Sequence, residues 1–218
     1  MKILLAILAL TVLQSSCTKH PTISLNHDNG QKIIALQPLG NYDPGQLITL
    51  SKEISIFFNA RVLILRPVEV PRSFYFQNNN YLGGDGYSAD SLVQFLYRFS
   101  NDSIIKVVGI THANIFIPKK RLVQTNKERL VLNEPHIIFG LGDVGGNASV
   151  VSDSKLQSVD KGLFENRLKK VILHELGHNL GLTHCTVDSC LMSETNGDIA
   201  KLNKTGGDYC KKCRRKLN

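Results

Sequence analysis

Residues 174–192 read HELGHNLGLTHCTVDSCLM, and the reading of this stretch decides what the rest of the chain is for. On a helix, His174 and His178 are four positions apart, so they share a face with Cβ atoms about 5–6 Å apart. Both imidazoles can then reach one zinc ion at roughly 2.0–2.1 Å. Gly181 tolerates the positive φ at which a helix stops and the chain turns back, and that turn lets His184 approach the same metal from another side. Three neutral imidazoles on a tetrahedral ion leave one position for water, the arrangement of a catalytic site. Glu175, beside the first ligand, is placed to take that water's proton. The stretch predicts zinc-assisted hydrolysis.

Working upstream, the spacing predicts a helix from about Asp160 to Leu180. Phe164, Leu168, Ile172 and Leu176 form one apolar stripe, and Arg167, Val171, His174 and His178 form its neighbour. One stripe packs on a sheet while the other holds the metal, which puts the ligands on a rigid element. Before it, strands are expected at 32–36, 61–70, 104–110, 114–118, 136–140 and 148–152. Helices are expected at 44–58, with Pro44 near its start, and at 89–99, capped by Ser88. Residues 77–86 read as a loop of Asn and Gly, and 119–133 as a charged, solvent-facing segment. Strands alternating with helices predict an α/β layer with a mostly parallel, twisted sheet. Downstream of Gly181 regular patterning fades until a short helix near 209–216. The domain, 31–218, therefore divides into an upper part (31–180) and a small lower part (181–218). A lobe of about forty residues needs a metal or disulfides to hold it.

Composition bounds the rest. The 218 residues, 42% hydrophobic and 20% charged, suffice for one domain with a real core. The net charge of +8 gathers partly at Lys211, Lys212, Arg214, Arg215 and Lys216, read as a solvated helix face. No aromatic residues interleave with them and no nucleic-acid motif is present, so a nucleic-acid partner is not expected. Residues 1–16 read as a signal peptide: Met1-Lys2 is basic, and Ile3 to Leu13 is an apolar run too short to span a bilayer. LQSSC (13–17) resembles a lipoprotein box, with Leu13 four positions before Cys17 instead of three. Export is expected, with Cys17 a possible lipidation site holding the protein at a membrane surface. Residues 17–30 read as a polar tether. Of the five cysteines, Cys17 stands alone, and Cys185, Cys190, Cys210 and Cys213 form an even set.

The order HExxHxxG, three residues, Cys185, four residues, Cys190, one residue, Met192, seventeen residues, then Cys210 and Cys213 as CxxC resembles the archaemetzincins at every fixed position of their signature. The likeness continues more loosely through VVGITHANIFIP (107–118), IIFGLGDVGGNASVVS (137–152) and Phe164, Arg167 and Lys170. Asn114 departs from it, standing where most relatives would have Asp. The resemblance implies a metzincin-like fold and a zinc metallopeptidase, either an endopeptidase or an aminopeptidase. It implies a catalytic zinc on His174, His178 and His184, Glu175 as general base, and Met192 as the Met-turn beneath the metal. It also implies a second, structural zinc on Cys185, Cys190, Cys210 and Cys213, two zincs per chain in all; two disulfides are the competing reading in an oxidising compartment.

The expected partner is a peptide or protein substrate lying extended along the sheet edge near His136 to Gly142, cut by a monomeric enzyme. Some metzincins carry a tyrosine shortly after the Met; here Ser193 and Glu194 follow, and no such helper is identified. The rival reading is a non-catalytic zinc-binding or adaptor protein on the same scaffold. Glu175 argues against it, because a purely structural metal has no use for a base beside its ligand.

Overall fold

The computed structural model describes residues 32–77, 84–124 and 129–217. The signal-like segment, the tether and Cys17 lie outside them. Strand β1 (Ile33–Pro38) leads to α1 (Pro44–Phe58), and β2 (Arg61–Ile64) follows. Asp43 caps α1, its carboxylate accepting from the Gly45 and Gln46 amides, with Pro44 in the first turn. Next come the short strands β3 (Tyr75–Phe76) and β4 (Gly86–Ser88), helix α2 (Ala89–Leu96) with a 3-10 turn after it, and strand β5 (Ile104–Thr111). Ser88 caps α2 as its position predicted.

A long antiparallel hairpin follows, β6 (Asn114–Gln124) and β7 (Arg129–Ile138), then β8 (Gly140–Gly142) and β9 (Ala148–Ser152). Helix α3 (Lys161–Asn179) carries the HELGH run, and the short helices α4 (Ile199–Lys204) and α5 (Lys211–Arg214) complete the chain. Among the described residues no helix is long and apolar enough to cross a membrane.

The main sheet runs β2-β1-β5-β9-β8. Its first four strands are parallel, and β8 closes one side as an antiparallel edge strand. The parallel strands are covered on both faces, which is why they read as continuous apolar runs. Ile34, Leu36, Val108, Ile110 and Val151 face α1 and α3, whereas Ala35, Val107, Ala148 and Val150 face α2.

Four features depart from the sequence reading. The strand expected over 61–70 stops at Ile64 before Pro67, leaving only a single bridge from Leu39 to Val68. Of the residues read as a charged segment, 119–124 and 129–133 extend the two arms of the β6–β7 hairpin. That hairpin joins β3 and β4 in a second sheet, ordered β3-β4-β6-β7. The strand read over 136–140 is split at Phe139, its first half belonging to one sheet and its continuation, β8, to the other. Last, α4 lies in a stretch where no element was read, because six residues present too little periodicity to register.

Candidate active site and metal centres

Helix α3 begins on Asp160, whose side chain accepts from the Leu163 amide. It buries Leu168, Ile172 and Leu176 against the sheet, as the apolar stripe predicted. Its far end is a Schellman turn: the Gly181 amide donates to the His178 carbonyl, the Leu182 amide donates to the Gly177 carbonyl, and Gly181 takes φ 90°. That turn also fixes an imidazole, because the Leu182 carbonyl it sets in place accepts from His178 Nδ1 at 2.8 Å. His174 Nδ1 donates in the same way to the Leu191 carbonyl at 2.7 Å.

A carbonyl can only accept, so both imidazoles carry their proton on Nδ1 and turn an Nε2 lone pair inward. The two Nε2 atoms stand 3.1 Å apart. Lone pairs that close repel unless a cation lies between them, and two nitrogens on one tetrahedral zinc would be about 3.3 Å apart. Burial pulls His174 down to about 3, with the neighbouring His178 adding to it, and burial lowers His178 as well. Both rings are thus neutral, the form that binds metal. His184 completes the set, and the ligand atoms of the three histidines all lie within 4.8 Å of one another.

Glu175 points from the same helix toward the edge strand. It is buried, and burial raises its carboxyl to about 8, partly offset by a hydrogen bond from the Gly142 amide. A side chain on Gly140 would begin 2.5 Å from Glu175 Oε1, so β8 can run this close only as Gly-Leu-Gly. The carboxylate lies in a cleft walled by β7, β8, α3 and residues 194–197, with all three histidines on its floor.

Met192 is fully buried directly beneath the helix, its sulfur against Gly177. The four cysteines form the second cluster, their sulfurs within 4.8 Å of one another. Cys185 and Cys210 are 3.8 Å apart, as are Cys190 and Cys213. A zinc–thiolate bond of about 2.3 Å gives a tetrahedral edge of about 3.8 Å, far longer than the 2.0 Å or so of a disulfide. Both donor sets fit zinc.

All the described site residues read from the sequence converge on these two centres. What it missed are Gly140 and Gly142 as the cradle of Glu175, Gly177 as the seat of Met192, and the contacts made by Lys170. The Lys170 ammonium is buried and donates to the carbonyls of Leu202, Asn203 and Thr205 at 3.3, 3.5 and 2.5 Å, closing the end of α4. The Asn114 side-chain amide donates to the Asp85 carbonyl at 3.0 Å, a bond that an ionised Asp could not make. Arg214, counted within the basic face, instead pairs with Asp208, whereas Lys211, Lys212, Arg215 and Lys216 are exposed.

Peptidase family M54 matches residues 64–218. The archaemetzincin of Pyrococcus furiosus is 26% identical over 197 residues, which cover 85% of this chain and 92% of that protein. The archaemetzincin of Natronomonas pharaonis is 26% identical over 144 residues, 62% of this chain and 73% of that one. Among solved structures, archaemetzincin from Methanopyrus kandleri aligns with a TM-score of 0.70 at 22% identity, covering 88% of this chain and 97% of the other. That from Archaeoglobus fulgidus gives 0.64 at 24% identity, covering 84% and 99%. At these identities the structural likeness speaks for the fold alone.

Proposed function

The chain belongs to peptidase family M54, the archaemetzincins, and is a zinc metallopeptidase; from that premise we propose that His174, His178 and His184 hold the catalytic zinc and that Glu175 is the general base. The observation that carries this reading is the pair of inward Nε2 lone pairs 3.1 Å apart, each ring locked by a carbonyl on its other nitrogen. Zinc bound there supplies a Lewis acid and brings the pKa of water toward about 7. Burial alone raises Glu175 to about 8, and a cation held by the histidines would favour its ionised form, in which Glu175 accepts a proton and returns it to the departing amine. Its seat between Gly140 and Gly142 excludes bulk water and holds it against the edge strand.

A substrate peptide lies extended along β8, whose outer edge ends the main sheet, and pairs with it by backbone hydrogen bonds. The Cys185, Cys190, Cys210 and Cys213 set holds a second, structural zinc, supported by the 3.8 Å sulfur separations. Thiol titration of the denatured chain without reductant distinguishes this from disulfides: four reactive thiols from the cluster fit zinc, none fits two bridges. Export and attachment through Cys17 are proposed on the signal-like segment, and a monomer is proposed as the working form.

Glu175→Gln tests the catalytic assignment, since it preserves shape and removes the base. The variant is expected to retain zinc at the histidines and to lose peptide cleavage by about 10²–10⁴-fold. Turnover equal to the parent's, at equal zinc content, overturns the role given to Glu175.

A further inference from the structure

Two of the three histidines have the nitrogen that faces away from the shared centre pinned by a backbone carbonyl. His184 differs. It follows the Schellman turn on irregular chain, its side chain is 46% exposed, and the group facing its Nδ1 is a carboxylate, Glu194 Oε1, at 3.7 Å. The geometry points to Glu194 as the positioning residue of the third zinc ligand: its carboxylate accepts the Nδ1 proton of His184, fixes the ring's tautomer and turns Nε2 toward His174 and His178. This inference rests on the zinc reading of the three histidines.

The backbone anchors the two segments that carry His184 and Glu194. Cys185 and Ser193 form an isolated bridge, the Cys185 amide donates to the Met192 carbonyl at 2.8 Å, and the Ser193 amide donates to Cys190 at 2.9 Å. Across that parallel bridge His184 and Glu194 are diagonal, one residue before Cys185 and one after Ser193, and it is their side chains that close to 3.7 Å. The 3.7 Å separation exceeds a hydrogen bond by under an ångström, and such contacts tighten when a site is occupied. A carboxylate on the distal nitrogen of a metal-bound imidazole orients the ring and raises its basicity. Glu194 and Glu175 are the two carboxylates that line the cleft among the described residues. Glu175 is committed to the edge strand, and Glu194 is the one facing a ligand ring. The competing role for Glu194 is a direct contact with a cationic side chain of the substrate, and the two roles predict different measurements.

The experiment is zinc titration of the full-length chain against a competing chromophoric chelator, for the parent, Glu194→Ala and Glu194→Gln, with peptide kinetics at saturating zinc. Expected for Glu194→Ala is a loss of affinity at the histidine site of about 10–100-fold, the range for losing such a partner. The thiolate-bound zinc should be unchanged. Glu194→Gln, which still accepts a hydrogen bond but lacks the charge, should fall between alanine and the parent. Saturating zinc should restore cleavage by Glu194→Ala with KM unaltered. Histidine-site affinity within twofold of the parent overturns the proposal, as does an unchanged affinity accompanied by a raised KM for lysine-containing peptides, which would make Glu194 a substrate contact. If His184→Ala removes no zinc from the parent stoichiometry, the zinc reading itself fails, an outcome distinct from the loss of Glu194's role alone.

Discussion

A Cβ on Gly177 would lie 2.4 Å from the Met192 sulfur and 3.0 Å from the Tyr209 hydroxyl. In an ordinary helix interior, alanine is favoured over glycine by about 1 kcal/mol. Forcing an extra methyl into a packed interior costs about 1–3 kcal/mol, and here overpacking wins because Met192 is fully buried and cannot swing into solvent. Gly177→Ala should therefore lower stability by about 1–2 kcal/mol in urea unfolding and reduce activity, since the displaced loop also carries the Leu191 carbonyl that orients His174. A stabilised variant would show that Met192 does not seat against the helix. The spacing of the motif brought His174 and His178 together because positions i and i+4 share a helix face whatever the rest of the chain does. It could not reveal why the position before His178 is glycine, or what Glu194 faces. Those depend on segments that meet only after folding, Tyr209 from one end of the lobe and the Cys185–Ser193 bridge from the other.

Arg167 and Lys170, three positions apart on α3, tie the active-site helix to elements on either side of it. Arg167 donates to the Leu156 and Gln157 carbonyls, both at 3.1 Å, and to the Asn203 side chain at 2.9 Å. Lys170 donates to three carbonyls at the end of α4, where a helix terminus leaves acceptors short of intrahelical donors; the Leu202 carbonyl also accepts from Thr205. The cation also complements the negative end of the helix dipole. Lys170→Met keeps the aliphatic stem but takes from the Thr205 carbonyl its short lysine hydrogen bond, a penalty of about 1–3 kcal/mol for a buried acceptor left unpaired. Leu202 and Thr205 line the cleft, so the variant should raise KM more than it lowers kcat, with a melting temperature lower by several degrees. An unaltered melting temperature and KM would mean that α4 holds its place without the lysine. At this scale the sequence was informative where apolar residues recur at a helical or strand period, as in α1, α2, α3, β1 and β5. It was silent for the outer β6–β7 hairpin, where charge hides the alternation, and for α4, whose one buried apolar residue is Leu202.

The division into an upper and a lower part, drawn at Gly181 from the loss of patterning, does not correspond to two cores. Leu182, Cys190, Leu191, Met192, Leu202, Tyr209 and Cys213 belong to one buried cluster with Leu47, Leu50, Ile54 and Phe58 of α1 and Leu168 to Leu176 of α3. Tyr209 fastens the junction, its hydroxyl donating to the Leu173 carbonyl at 2.6 Å and its ring meeting Phe57 edge-on. Linear sequence marks where periodicity stops, but it cannot show that apolar residues beyond that point fill the same interior. A structural zinc contributes about 10–16 kcal/mol of apparent binding free energy, as much as the 5–15 kcal/mol by which a typical whole domain is stable. Because the core is shared, removing the zinc proposed at the four thiolates should unfold the entire domain and not the lobe alone. Chelation is therefore expected to proceed in two stages. The zinc proposed at the histidines, where His184 is half-exposed, should leave first and yield an inactive protein of native circular dichroism that zinc reactivates. The thiolate zinc, with Cys190 and Cys213 buried, leaves only as the chain unfolds in a single transition. Cys213→Ser should reproduce that second stage, losing ordered structure and activity together although every histidine remains. Two separate melting transitions in Cys213→Ser, with a folded upper part and an unfolded lobe, would contradict the shared core.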